Sequence, residues 1–202
     1  MTNIHSIFPT PIYKINIEEF ITQEDLDYVK NIKQVTYGNI GNLTSRNTYV
    51  LNNKKFDSLN KILLTHINHY FKKIIDTSDK VTPYITQSWL NYTEVDQFHH
   101  KHAHSNSIIS GVFYFNAIKE NDSISFHKVV NDQISLTPKN YNLFNSLTWN
   151  FPVKTGDLIL FPSNLGHSVD RKKNKNLRIS LAFNVFIKGN LGEHTSLNEL
   201  FI

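Results

Sequence analysis

Alternating apolar and polar positions dominate the chain after Pro83, where six segments are rich in β-branched and aromatic residues. Clusters of Asn, Gly, Asp and Pro separate these segments, which is typical of strands joined by turns. The predicted strands cover residues 84–95, 107–116, 123–130, 145–153, 157–163 and 178–187. Strands at this spacing favour a β-sandwich or a β-barrel.

The pattern before residue 80 predicts one strand and two helices. Residues 6–17 are β-prone and contain two prolines, which suit an edge strand. Residues 23–33 place apolar side chains at helical spacing behind a capping pair, Thr22 and Asp25. Asp57 is the expected cap of a second helix, whose apolar stripe should pack on the sheet. That stripe consists of Leu59, Ile62, Leu63, Ile67, Tyr70, Phe71, Ile74 and Ile75.

Length and composition indicate one globular domain. The 202 residues are 40% hydrophobic and 19% charged, which is sufficient for a sizeable core. We divide the domain into supporting elements (1–80), a barrel core (81–190) and a tail (191–202). The net charge of +4 comes from basic residues that are scattered except in the run at 170–178. This distribution does not indicate nucleic-acid binding.

The absence of cysteine limits the chemistry that the chain can perform. Any metal must be held by nitrogen and oxygen ligands, and no disulfide framework can form. The N-terminal residues lack the pattern of a signal peptide, and no apolar run approaches the roughly 20 residues that span a bilayer. We therefore expect a soluble, cytoplasmic protein without membrane contact.

Four of the ten histidines fall within six positions just before a predicted strand. Residues two apart on an extended chain share a face, so His102 and His104 could bind one ion. The adjacent His99 and His100 should point in opposite directions. His167, in a turn after a hydrophobic strand, could complete a three-ligand face that leaves positions open for a substrate. A solvated histidine loop is the alternative interpretation.

Arg178 opens the apolar strand at 178–187 and should be partly buried. A buried cation requires an anionic partner, because its desolvation is otherwise uncompensated. Asp170 could be that partner. A carboxylate of a ligand, held in a bidentate fork, could also fill the role. Ser180 lies two residues along, on the same strand face, and could donate to the same carboxylate.

Short motifs appear in order along nearly the whole chain. They are FPTPIY at 8–13, W-x-N at 89–91, H-x-H at 102–104, SGV-x-Y at 110–114, G-D-L-x-x-FPS-x-L-x-H-x-V at 156–169, and R-x-S-x-x-FN at 178–184. This series resembles the Fe(II)- and 2-oxoglutarate-dependent oxygenases of the prolyl-hydroxylase type, in particular a bacterial and phage group. The resemblance implies a mainly β (α+β) fold. That fold is a double-stranded β-helix, a cupin-like jelly-roll barrel with N-terminal helices packed on one sheet.

The resemblance also implies the site residues. The metal ligands would be His102, His104 and His167. Arg178 would anchor the distal carboxylate of 2-oxoglutarate, with Ser180 beside it. The remaining cavity residues would be Tyr114, Asn91 and Trp89. The family usually has a carboxylate where His104 stands. A neutral imidazole leaves the Fe(II) site one charge more positive, and bound 2-oxoglutarate, a dianion, would offset that charge.

The implied activity is that of a dioxygenase, which hydroxylates a prime substrate with O₂ and decarboxylates 2-oxoglutarate to succinate. The sequence does not identify the prime substrate. Residues 37–47, 133–145 and 189–202 could rim the mouth of the site, and the segment 133–145 is predicted to be a lid. Two alternatives stay open, a cupin-like metal enzyme that does not use 2-oxoglutarate and a non-catalytic metal-binding barrel. The apolar C-terminal residues could form a homodimer contact.

Overall fold

A computed structural model describes residues 3–129, 134 and 136–202. Residue 130 of the predicted strand 123–130, and residues 133 and 135 of the predicted lid, lie outside the described residues. In chain order the elements are β1 (Tyr13–Asn16), α1 (Gln23–Ile32), β2 (Thr36–Gly38), β3 (Leu43–Ser45), α2 (Asp57–Tyr70), β4 (Lys80–Thr93), β5 (His99–His102), β6 (Ile109–Asn116), β7 (Ser123–His127), β8 (Thr148–Pro152), β9 (Asp157–Pro162), β10 (Gly166–Val169), β11 (Arg178–Leu191) and β12 (Leu200–Phe201).

The strands form two antiparallel sheets. The large sheet has the order β1-β9-β6-β11-β4-β3-β2, and β12 pairs with the end of β11. The small sheet has the order β5-β10-β7-β8. Side chains from both sheets meet in one apolar cluster that includes Tyr114, Phe126 and Phe161.

The outer face of the large sheet packs on the two helices. Leu90 and Tyr92 of β4 and Leu181 of β11 share a buried cluster with Val29 of α1 and Leu63 of α2. The Tyr92 hydroxyl donates to the Val29 carbonyl and joins α1 to the sheet. Because successive strand residues alternate between faces, the neighbours of these apolar residues on β4 and β11 point toward the small sheet.

Several local predictions can be compared directly with the structure. The capping box of Thr22 and Asp25 is confirmed, because each side chain accepts from the backbone N–H of the other residue. The edge position of β1 is also confirmed. The predicted cap at Asp57 is wrong, since that residue is the first of α2 and the N-cap, Phe56, makes no side-chain cap bond. The apolar stripe ends early, because Ile74 and Ile75 are exposed.

The predicted loop at 37–47 contains structure that the sequence did not indicate. Its residues contribute to the β2–β3 hairpin at the edge of the large sheet. The tail likewise forms a short strand, since Leu200 pairs with Leu191. Among the described residues, no helix has both the length and the apolar character that a bilayer crossing requires.

Candidate metal and cosubstrate site

His102, His104 and His167 lie together at one end of the space between the sheets. His102 and His167 are directly paired across β5 and β10, and their ring centroids are 4.2 Å apart. The ring of His104 lies 5.2 Å from that of His102 and 5.1 Å from that of His167. One ring nitrogen from each residue lies within 4.8 Å of the other two. His167 is therefore a strand residue, and the predicted turn at this position is wrong.

Each of the three imidazoles makes a hydrogen bond through Nδ1. The Nδ1 of His102 lies 2.8 Å from the carbonyl oxygen of His100, and that of His167 lies 3.1 Å from the carbonyl oxygen of Leu165. The Nδ1 of His104 lies 2.5 Å from Oδ1 of Asn184. Oxygen acceptors at Nδ1 favour the tautomer that carries its proton there. Each Nε2 lone pair is then available to a metal.

Burial keeps these imidazoles neutral. Burial, followed by the charge of His102, lowers the pKa of His167 to about 3. Burial also lowers the pKa of His102 and of His104. Metal-binding histidines must be unprotonated, so a buried set of three neutral rings fits a divalent transition metal.

The structure corrects the expectation for His99 and His100. The pairing of β5 with β10 shifts between His167 opposite His102 and Val169 opposite His99. Two residues of β5, His100 and Lys101, therefore lie opposite the single residue Ser168 of β10, and the extra residue breaks the regular alternation of faces. As a result, the His99 ring stacks on His102 at 4.5 Å, and the His100 ring lies 4.9 Å from His102.

His99, His100 and His102 form a second group whose ring nitrogens lie within 4.8 Å of one another. The two groups share His102, whose Nδ1 is engaged by a carbonyl oxygen. Its single remaining nitrogen can serve only one group at a time. The group with His104 and His167 has the deeper burial and the three Nδ1 hydrogen bonds, so it is the better metal site.

Arg178 is a buried cation without a carboxylate partner. Its side chain is buried, and it donates to the Ser123 carbonyl at 3.4 Å and to the Thr93 hydroxyl at 3.2 Å. Its Nε has no hydrogen-bond partner among the described residues. Within the same part of the chain, no carboxylate, including that of Asp170, forms an ion pair with it. Burial lowers the pKa of Arg178, which reflects this uncompensated charge.

Three adjacent strands present their inner faces to one narrow cavity. Arg178 and Ser180 come from β11, Trp89 and Asn91 from β4, and Tyr114 from β6. The three metal-site histidines and His99 line the same cavity, so the sequence-predicted residues are brought together. Its volume is about 30 Å³, roughly two water molecules. A five-carbon dicarboxylate enters only if the lining side chains move apart.

A wider pocket of about 340 Å³ opens over the histidines. His102 and His104 form its floor, and Trp89, whose ring lies 5.7 Å from that of His104, belongs to its wall. The remaining lining residues are Tyr37, Asn39, Thr44, Thr48, His99, His100, Ser105 and Asn184. The pocket shares His102 and His104 with the three-histidine group, so a molecule bound in it would lie beside that group.

The sequence analysis did not identify two supporting residues. Asn184 orients His104, and Thr93 holds the guanidinium of Arg178. The period-two pattern of β11 could have identified Asn184, which continues the series 178, 180 and 182. Thr93 is opposite Arg178 in the β4–β11 register, and only strand pairing reveals that neighbour. Glu94, which precedes the histidine-rich segment along the chain, pairs with Lys33.

The family comparison identifies the barrel segment. Residues 87–184 match the model of a protein family described as "Putative 2OG-Fe(II) oxygenase". This match confirms the resemblance that the motifs indicated, and it includes the three metal-site histidines and Arg178. The chain matches none of the curated proteins with which it was compared.

Solved structures of 2OG-Fe(II) oxygenases have the same fold. A family member from Burkholderia pseudomallei is 13% identical, with a TM-score of 0.57 over 86% of this chain and 83% of that one. HygX from Streptomyces hygroscopicus, with nickel and 2-oxoglutarate bound, is 13% identical, with a TM-score of 0.59 over 87% and 82%. The viral collagen prolyl hydroxylase of Paramecium Bursaria Chlorella virus-1 is 14% identical, with a TM-score of 0.53 over 86% and 94%. The predicted double-stranded β-helix is confirmed.

Proposed function

We propose that this chain is an Fe(II)- and 2-oxoglutarate-dependent dioxygenase that hydroxylates a substrate bound in the 340 Å³ pocket. One observation carries the proposal. Three neutral imidazoles share a cavity with a buried guanidinium that has no carboxylate partner among the described residues. Such a cavity suits a ligand that has a metal-chelating end and an anionic end, and 2-oxoglutarate has both.

His102, His104 and His167 are the proposed iron ligands. Three protein ligands leave coordination positions for the keto acid of 2-oxoglutarate and for O₂. The hydrogen bonds at Nδ1 fix the direction of each ring, so little side-chain freedom remains to be lost when the metal binds. Asn184 contributes such a bond to His104 from its side chain.

Arg178 is the proposed anchor for the distal carboxylate of 2-oxoglutarate. Its free Nε and the remaining guanidinium N–H groups can form a charge-assisted fork with a carboxylate. Burial raises the pKa of Tyr114, so its hydroxyl keeps its proton and can donate to the same group. Ser180 is a further donor on this wall, and Asn91 and Trp89 complete the cavity.

The ligand set has no carboxylate, so the charge balance differs from the usual arrangement. Fe(II) bound to three neutral imidazoles keeps both of its positive charges, and the 2-oxoglutarate dianion would neutralise them. When bound, iron and 2-oxoglutarate supply the oxidising chemistry, in which O₂ is consumed, 2-oxoglutarate becomes succinate and CO₂, and one oxygen atom enters a substrate C–H bond. The residues of the chain hold the two groups, orient them and exclude water from the cavity.

An anaerobic titration tests the proposal. Fe(II) and 2-oxoglutarate are added to the protein, and the weak visible charge-transfer band of the chelate is followed. We expect a band that saturates at one equivalent of each, and succinate once O₂ is admitted. A protein that binds Fe(II) but gives neither band nor succinate is instead a metal enzyme of another kind. A protein that retains zinc and shows no turnover is a non-catalytic barrel.

The location, source and oligomeric state of the protein are predictions. We propose a cytoplasmic protein from a bacterium or a phage, and a homodimer contact through the apolar tail, where Leu197 and Phe201 are exposed. Light scattering at two protein concentrations tests the dimer, which would be excluded by a constant monomer mass.

A further inference from the structure

A buried ion pair lies next to the proposed anchor and has no part in the chemistry described above. Nζ of Lys172 is 2.9 Å from Oδ1 of Asp122, and both side chains are only 2% exposed. Asp122 directly precedes Ser123, whose carbonyl accepts a hydrogen bond from Arg178. The Asp122 carboxylate therefore belongs to the residue next to a hydrogen-bond partner of Arg178, although it makes no ion pair with the guanidinium.

Both carboxylate oxygens of Asp122 are engaged elsewhere. Oδ1 accepts from Lys172, while Oδ2 accepts from Nδ2 of Asn176 at 3.0 Å and from the backbone N–H of Ile118 at 2.9 Å. Lys172 also donates to Oδ1 of Asn176 at 2.8 Å. Lys172 is held from its backbone as well, because its N–H donates to the carbonyl of Gln97. These contacts engage both oxygens of the carboxylate, and Asp122 does not line the narrow cavity.

The charges near the cavity do not cancel. Arg178 and Lys172 are cations and Asp122 is the neighbouring anion, so one buried positive charge is left without a partner. Burial lowers the pKa of Arg178, and the charges of Tyr114 and Asp122 act in the opposite direction. If Lys172 were neutral, Asp122 would itself be a buried charge in need of a partner, and Arg178 is the adjacent candidate.

We propose that Lys172 is a positioning residue for the cosubstrate: by engaging Asp122, it prevents that carboxylate from pairing with Arg178 and leaves the guanidinium free for 2-oxoglutarate. The inference rests on the proposed function. Lys172 does not contact the cosubstrate in this arrangement. It acts by occupying the Asp122 carboxylate, which would otherwise compete with the ligand for Arg178.

The test compares 2-oxoglutarate binding by Fe(II)-loaded protein under anaerobic conditions. Lys172→Met should weaken binding about tenfold or more, because the freed carboxylate competes for Arg178. The double variant K172M/D122N should return to within roughly threefold of wild type, since the competing charge is gone. Lys172→Arg should bind like wild type, because it keeps the ion pair. Circular dichroism and Fe(II) affinity show whether each variant retains its fold and metal site.

Several results would overturn the inference. The inference is contradicted if folded K172M binds 2-oxoglutarate with the affinity of wild type. It is also contradicted if the double variant binds 2-oxoglutarate as weakly as K172M. If K172M does not fold, Asp122→Asn alone decides. An amide cannot neutralise Arg178, so D122N must bind at least as tightly as wild type, and a tenfold loss contradicts the inference. Wild-type protein that binds no 2-oxoglutarate overturns the proposed function as well, which separates the two failures.

Discussion

At the scale of single residues, the site depends on side chains whose polar atoms are directed by their neighbours. Arg178 is held by Thr93 and the Ser123 carbonyl, which together satisfy only part of its donor set. His104 is held by Asn184. In both cases neighbouring groups fix the orientation of the side chain, and the functional atoms are left for a ligand. Because different residues serve the metal and the cosubstrate, variants should affect the binding of one without the other.

Arg178→Met should abolish the anchor and leave the metal site intact. We expect the affinity for 2-oxoglutarate to fall a few hundredfold or more, or about 3–5 kcal/mol, because the distal carboxylate would lose its buried partner. Calorimetric titration of the metal-loaded protein measures this change. Arg46→Met is the matched control, since Arg46 is exposed and its replacement should leave the affinity for 2-oxoglutarate unchanged. Equal affinities for R178M and wild type would contradict the assigned role.

Asn184→Leu should weaken metal binding by about 10- to 100-fold, which is the usual effect of removing a hydrogen-bond partner from a ligating histidine. The His104 ring would lose the amide acceptor at Nδ1 and keep only the contact with the Ser110 hydroxyl. Asn184→Asp retains an acceptor and should preserve the affinity. Competition between Co(II) and a chromophoric chelator measures both variants. If N184L and N184D are equally weak, the effect is steric and the orienting role is wrong.

At the scale of elements, strand alternation creates two different faces from the same residues. On β11, Ser180 and Ala182 face the narrow cavity, while Leu181 and Phe183 join the core against the helices. The close approach of β6 to β11 requires glycine at position 111, because a Cβ there would lie 2.1 Å from ring carbons of Phe183. The same strand carries Ser110 and Tyr114, so packing and site geometry are coupled.

Gly111→Ala should destabilise the fold by about 1–3 kcal/mol, because the added methyl group overpacks the core against Phe183. Urea unfolding monitored by tryptophan fluorescence measures the change. Gly38→Ala provides the control, since nothing lies within 4 Å of a Cβ at that position. A G111A variant as stable as G38A would show that the β6–β11 spacing relaxes without cost.

At the scale of the whole molecule, enclosure between the two sheets determines the charge state of the site. Burial, followed by neighbouring charges, lowers the pKa of His99 and of His167 to about 3. In the unfolded chain both groups would titrate near 6.5. The unfolded state therefore binds protons below that pH while the folded state does not. Stability that is present at neutral pH is lost as the pH falls.

The metal-free protein should be less stable at pH 5.0 than at pH 7.5. Each imidazole that stays neutral in the folded state contributes a loss of about 2 kcal/mol over this interval. Urea unfolding in the presence of a chelator at the two pH values measures it. His167→Gln should show a smaller difference, because one of the groups is absent. Constant stability, or greater stability at pH 5.0, would contradict the burial argument.

The sequence by itself determined the class of fold, the paired spacing of His102 and His104, and the burial of Arg178. It did so because periodicity and residue type act locally, as the capping box at Thr22 also shows. Only the tertiary structure decided that His167 is a strand residue opposite His102, and that the ring of His99 stacks on that of His102. A bulge and a strand register depend on contacts between segments more than 60 residues apart, which no local pattern encodes. The buried pair of Asp122 and Lys172 has the same origin. Both residue types are usually exposed, and these two form a buried ion pair only because the folded barrel brings them together.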